Sequence, residues 1–91
     1  MGFAWDVAKA ASNLVKHGVS FVQARTVFLD AGSASFFDAA HSYEEDRYVT
    51  IGMDSEARLL YVVHTDDGVD IRLISAREAS SHERKQYERN R

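Results

Sequence analysis

Residues 57–75 read Ala57-Arg58-Leu59-Leu60-Tyr61-Val62-Val63-His64-Thr65-Asp66-Asp67-Gly68-Val69-Asp70-Ile71-Arg72-Leu73-Ile74-Ser75. Two apolar runs flank Asp66-Asp67-Gly68, a tight-turn signal, so the stretch predicts an antiparallel hairpin with strands over 57–65 and 69–75. Period-two alternation sorts the first strand into Leu59, Tyr61, Val63 and Thr65 on one face and Arg58, Leu60, Val62 and His64 on the other. In the second strand Asp70, Arg72 and Ile74 oppose Ile71, Leu73 and Ser75. Across the turn His64 and Arg72 then share one side of the sheet, an assignment that a one-residue slip in register reverses.

Working outward, 47–53 continues the strand pattern and joins the hairpin through Asp54-Ser55-Glu56. A shorter strand spans 34–37, ahead of the polar stretch 38–46. Ser75 and Glu78 have the spacing of a capping box and open a final helix that reaches about Tyr87. Toward the N-terminus, Ser20 and Gln23 cap a helix with Phe21, Ala24, Val27 and Phe28 inward. Asp6 caps an earlier helix whose stripe Val7, Ala10, Ala11 and Leu14 faces the core, with Gly18 as its left-handed stop. A short first strand spans 3–5. The expected fold class is α+β: two N-terminal helices, an antiparallel meander sheet of about four strands, and a C-terminal helix.

Ninety-one residues, 45% of them hydrophobic, suit a single domain over 1–91. Without cysteine there is neither a disulfide framework nor a thiolate metal site. No leader pattern is visible, and the longest apolar stretch, 59–63, is too short to cross a bilayer, so a cytoplasmic location without membrane contact is expected. The net charge of −3 is unevenly spread. Residues 1–71 hold 5 Lys/Arg against 11 Asp/Glu, and residues 72–91 hold 6 against 3. An acidic chain can therefore still offer one positive face to phosphate.

His17, His41, His64 and His82 are scattered without metal-ligand spacing, and no glycine-rich phosphate loop or GxSxG elbow occurs, so no metal or other cofactor is expected. Arg72 in an apolar strand needs either a carboxylate partner, with Asp70 and Glu83 as candidates, or an anionic ligand. Arginine forms paired hydrogen bonds to phosphate oxygens and histidine exchanges protons near neutral pH, so an Arg/His sheet face beside a basic helix suits phosphate. Arg77, His82, Arg84 and Lys85 follow toward the C-terminus. Lys9, Asn13 and Lys16 align at i, i+4 and i+7, as either a solvated helix face or a phosphate or partner contact. Tyr48, Tyr61 and Tyr87 offer aromatic faces for core packing or base stacking.

Several ordered pieces of the chain resemble one known family. They are Trp5-Asp6-x-x-Lys9-x-x-x-Asn13-x-x-Lys16-His17-Gly18-Val19-x-Phe21-x-x-Ala24, then Phe37-Asp38, His41-Ser42, Glu45-x-Arg47 and Ile51-Gly52. Val63-His64-Thr65, Arg72-Leu73-Ile74-Ser75-Ala76-Arg77 and Glu83-Arg84-x-x-Tyr87 complete the set, which spans residues 3–87. The pattern is similar to BrnT toxins. That resemblance implies a RelE-like fold and a growth-arresting ribonuclease of a bacterial type II toxin–antitoxin system. It also implies a BrnA-type ribbon-helix-helix antitoxin that makes the DNA contacts of a self-repressing complex, expected as two toxins with two antitoxins. The net acidity departs from the usual basic character of RelE-like toxins.

With no metal ligands, cleavage is expected to run by attack of the 2′-OH on the adjacent phosphate and to inhibit translation. Motif position and sheet-face argument together nominate Arg72 and Arg77 for charge stabilisation and His64 for proton transfer. Lys9 and His17 are the alternatives if the first helix borders the groove. Lys9, Lys16, His17, Arg84 and Lys85 are the expected RNA contacts. The rival reading is a catalytically inactive RelE-like module that docks a DNA-binding antitoxin in a regulator. A small hydrolase with a His–Asp dyad is a third, without any nucleophile motif behind it.

Overall fold

In the computed structural model, residues 2–89 are described. Five strands form one mixed sheet in the order β1-β5-β4-β3-β2: β1 (Gly2–Ala4), β2 (Ala34–Phe37), β3 (Tyr48–Met53), β4 (Leu59–Asp66) and β5 (Asp70–Glu78). Helix α1 (Val7–His17) and the single turn α2 (Phe21–Ala24), which continues as a 3-10 helix over Arg25–Leu29, follow β1. Helix α3 (Ser81–Arg89) closes the described chain.

The expected α+β class holds, and the meander β2-β3-β4-β5 is antiparallel throughout. Two details differ. The first strand is a full sheet member, paired in parallel with β5 (Gly2 opposite Asp70, Ala4 opposite Arg72), so the sheet has five strands and is mixed. The second N-terminal helix is short because Thr26 turns its hydroxyl back onto the Gln23 carbonyl (2.7 Å) and accepts from Ser55 N–H (2.9 Å), which favours the tighter 3-10 winding. That 3-10 segment lies so close to β3 that a Cβ on Gly52 would meet the Val27 carbonyl at 3.1 Å, which is why the strand carries glycine there.

Helices cover both faces. On one, Val19, Phe21, Ala24 and Val27 pack on Leu60, Val62, Ile71, Leu73 and Ala76. On the other, Tyr87 from α3 packs with Val49, Ile51 and Leu59, and its hydroxyl donates to Asp30 (2.7 Å). The apolar stripe expected to bury α1 does so only through Ala10, which packs against the first of these clusters. Val7 is 80% exposed and Leu14 51%, while the buried residue of α1 is Asn13. Hydrogen bonding of Asn13 to the sheet edge, described below, joins the Ala10 contact in setting the rotation of this helix.

The hairpin turn is as expected: Asp66 and Asp67 carboxylates accept from backbone N–H groups of 68–70, and Gly68 takes φ 87°. The final helix begins later than its expected cap. Ser75 is inside β5, where the ladder with β4 continues to Glu78 opposite Leu60. The reciprocal cap is made by Ser80 and Glu83: Glu83 N–H donates to Ser80 Oγ (3.2 Å) and Ser80 N–H to Glu83 Oε1 (2.8 Å). Ser80→Ala is therefore expected to cost about 1 kcal/mol in chemical denaturation. Ser75→Ala should leave the start of α3 unchanged by NMR, and a shift of the helix start in that variant would restore the earlier cap.

Candidate active site

β1 covers β5 only as far as Arg72, and α1 lies against the edge left open beyond it. Asn13 makes the join. Its amide donates to the carbonyls of Ala76 (2.8 Å) and Val19 (2.9 Å), and its Oδ1 accepts from Ala76 N–H (3.0 Å). One side chain thus supplies to Ala76 the two bonds that a neighbouring strand would have made. Docked this way, α1 lines an open cleft of about 280 Å³ with Lys9, Ser12, Asn13, Lys16 and His17; Arg47, Ile74 and Ser75 line it from the sheet side. Lys9, Lys16 and His17 are exposed.

Register fixes which strand residues share this face. Thr65 stands opposite Arg72, Val63 opposite Ser75, and Tyr61 opposite Arg77, so both arginines lie on the α3 side of the sheet. Continuing the β3–β4 pairing by one step sets Arg47 across from Thr65 on its other flank. Arg72 Nη2 donates to Glu45 Oε2 at 2.5 Å, and Glu45 Oε1 lies 4.0 Å from Arg47 Nη2. Of the two alternatives posed by the sequence, Arg72 has a carboxylate partner, but it is Glu45, not Asp70 or Glu83. Arg77 is held more firmly: both guanidinium ends meet the Glu83 carboxylate (2.8 and 2.9 Å), and its Cζ sits 4.2 Å above the Tyr61 ring. The pair raises the Arg77 pKa and lowers that of Glu83, chiefly through this shared hydrogen bonding.

His64 is on the opposite face, which corrects the expected grouping with Arg72. Across the hairpin His64 pairs with Leu73, not Arg72. A bulge follows, because Val63 stands opposite Ser75, leaving Ile74 as the extra residue of β5. The imidazole is 4% exposed; its Nε2 bonds the Thr50 hydroxyl (2.8 Å), and Phe28 and Tyr48 rings enclose it. Nδ1 makes no hydrogen bond of acceptable geometry among the described residues, although the nearby Thr65 backbone exerts a weaker upward pull on the pKa. Burial dominates and lowers the His64 pKa below its ordinary 6.5. The unfolded chain then takes up the proton first, so stability is full above about pH 6.5 and falls as the pH drops through the folded pKa. Melting temperature should fall between pH 7 and 5, and His64→Gln should flatten that segment; an unchanged slope would mean other groups carry it.

The structure thus brings Lys9, Lys16 and His17 into one cleft with Arg47 and Ser75, leaves Arg72 and Arg77 on the same sheet face but outside the cleft lining, and separates His64 from that face. Arg84 and Lys85 are exposed on α3, outside the cleft lining. Two residues of this face were not among the nominated ones, Arg47 and Glu45. Their motif, Glu45-x-Arg47, was visible, but it sits in a polar stretch whose path no periodicity determines. Among the described residues no group of three His, Asp or Glu side chains is placed to hold a metal ion. No described helix is long and apolar enough to cross a membrane.

Fold and cleft define a small α+β domain with arginines and lysines gathered on one sheet face and along the helix at its edge. The family model described as ribonuclease toxin, BrnT, of type II toxin–antitoxin systems matches residues 5–83, and the chain belongs to that family. It is similar to the crystal structure of the Brucella abortus ribonuclease toxin BrnT, with 25% sequence identity and a TM-score of 0.68 over 89% of this chain and 99% of that one. No curated protein matches it. Membership implies endoribonuclease activity and a cognate antitoxin.

Proposed function

We propose that the chain cleaves RNA without a metal ion, at the face between α1 and β5. The observation that carries this is the cleft in which Lys9, Lys16, His17 and Arg47 meet, on the sheet face that also carries Arg72. The substrate 2′-oxygen attacks the adjacent phosphorus and the 5′-oxygen leaves, giving a 2′,3′-cyclic phosphate and a 5′-hydroxyl end. Arg72 stabilises the charge that builds on the phosphoryl oxygens, with Arg77 on the same face, and His17 with Lys9 moves the proton from the 2′-oxygen to the leaving oxygen. His64, shut off from solvent, takes no part. Lys16, Arg84 and Lys85 guide neighbouring phosphates. Cleavage inhibits translation and growth in the cytoplasm. A BrnA-type ribbon-helix-helix antitoxin neutralises the toxin in a two-plus-two complex and alone contacts DNA.

The alternative, an inactive docking module, draws on the net-acidic composition and on the grip of Glu83 on Arg77. Incubating the purified protein with bulk RNA in EDTA separates the two. Cleavage to cyclic-phosphate ends supports the enzyme, activity that vanishes in EDTA sinks the metal-free route, and intact RNA in both conditions favours the module. Expression alone should arrest growth, and co-expression of the adjoining open reading frame should relieve it.

A further inference from the structure

We propose that Glu45 occupies, as an internal anion, the subsite that an RNA backbone phosphodiester takes between Arg47 and Arg72, and that it thereby raises the concentration any phosphate needs to bind there. The proposal rests on the ribonuclease reading of this face. The carboxylate divides its oxygens between two guanidinium groups: Oε2 meets Arg72, and Oε1 points to Arg47 at 4.0 Å. The two non-bridging oxygens of a phosphodiester offer the same division with the same single negative charge. Replacement of one anion by the other is therefore neutral at the subsite.

Glu45 is placed to leave. It lies in the exposed run 43–46, inside the short loop closed by Ser42, whose hydroxyl accepts from Arg47 N–H (2.9 Å) while donating back to the Asp38 carbonyl (2.6 Å). Both sides of its pair with Arg72 are more than two-fifths exposed, so the contact is screened and weak. Being tethered, however, it competes at a high effective concentration. An isolated phosphate has only this subsite with which to oppose it. A strand of RNA brings further phosphates to Lys9 and Lys16 on the same cleft and wins by their sum. Arg47 becomes a second phosphate-binding side chain, and Glu45 the anion that a phosphate must displace to reach it.

The test uses the full chain with two probes that cannot be cleaved, a 2′-O-methyl RNA oligonucleotide and inorganic phosphate. Glu45→Gln should bind both up to about fivefold tighter, the factor that matches about 1 kcal/mol for an exposed ion pair. In the wild type the oligonucleotide should shift the side-chain NMR signals of Arg47 and Arg72 at concentrations where inorganic phosphate leaves them in place. Arg47→Ala should weaken oligonucleotide binding and flatten its salt dependence. Unaltered or weaker binding by Glu45→Gln, with a wild-type melting curve, would overturn the proposal, as would arginine signals that ignore the oligonucleotide. Cleavage of unmodified RNA is scored separately. Tighter binding by Glu45→Gln in a protein that cleaves nothing would uphold the subsite and remove the ribonuclease reading. Cleavage with no response at Glu45 would do the reverse.

Discussion

Replacing Arg72 by alanine should slow RNA cleavage by roughly 10²–10³, about 3–4 kcal/mol of transition-state stabilisation, if its loss resembles that of an oxyanion donor. The same change should barely affect folding. Arg72 is 42% exposed and its partner Glu45 43%, and exposed pairs contribute about 0–1 kcal/mol. Arg72→Lys should recover only part of the rate, since an ammonium cannot grip two phosphoryl oxygens in one plane. The companion variant is His64→Gln, which keeps a side chain able to bond Thr50. It should cleave RNA at close to the wild-type rate. A folded Arg72→Ala with full activity, or a folded His64→Gln without any, would transfer the chemistry to the other face of the sheet. Single-turnover cleavage with melting curves on each protein settles the matter.

Asn13→Ala should destabilise the domain by roughly 3–5 kcal/mol, a large share of the 5–15 kcal/mol that holds an ordinary domain together. Asn13 is 5% exposed, and its loss would strand an N–H and two carbonyls inside the protein. Each unpaired buried group costs about 1–3 kcal/mol. Asn13→Asp should be little better, because a carboxylate keeps the bond from Ala76 N–H but faces both carbonyls with like partial charge. Since the same side chain holds α1 against β5, RNA affinity should drop along with stability as Lys9, Lys16 and His17 lose their fixed place. Urea unfolding is the measurement, and a change under 1 kcal/mol for Asn13→Ala would mean that α1 is held by something else.

Much of the frame was legible in local chemistry. Asp6, Gly18, Ser20 and the Asp66–Gly68 turn act where their side chains or left-handed backbone allow, because caps and turns depend on neighbours in the chain. Errors arose where a distant partner decides. Leu14 and Val7 satisfy the helical period yet remain exposed, since Asn13 has bonds available only once Ala76 is beside it. Ser75 and Glu78 have the right spacing for a cap, but β4 offers their backbone a ladder first, leaving Ser80 and Glu83 to form the box. Strict alternation failed at Ile74. The bulge moves Ser75 off the face of Leu73, and pairing with His64 goes to Leu73 instead of Arg72, so the nominated His–Arg site was split by one step of register. The Lys9–Asn13–Lys16 side of α1, left open as a solvated face or a phosphate or partner contact, lines the same cleft as Arg47 for reasons no linear pattern contains.

The parallel pairing of the first strand with the fifth bears on the order of folding and on synthesis. Gly2 meets Asp70 and Ala4 meets Arg72, so the N-terminal strand closes a loop that takes in most of the chain. Loop closure of that span must come before its contacts are rewarded, whereas the β3–β4–β5 meander needs only near neighbours. The meander is therefore expected to form first and the N-terminal strand to dock late. On the ribosome the first residues emerge long before their partner, and must wait, unpaired, until Arg72 has been made. Arg72 belongs to the strand whose arrival lets the sheet close. A nascent chain that stops short of Arg72 lacks the strand on which Gly2–Ala4 pair, so the five-stranded sheet cannot close.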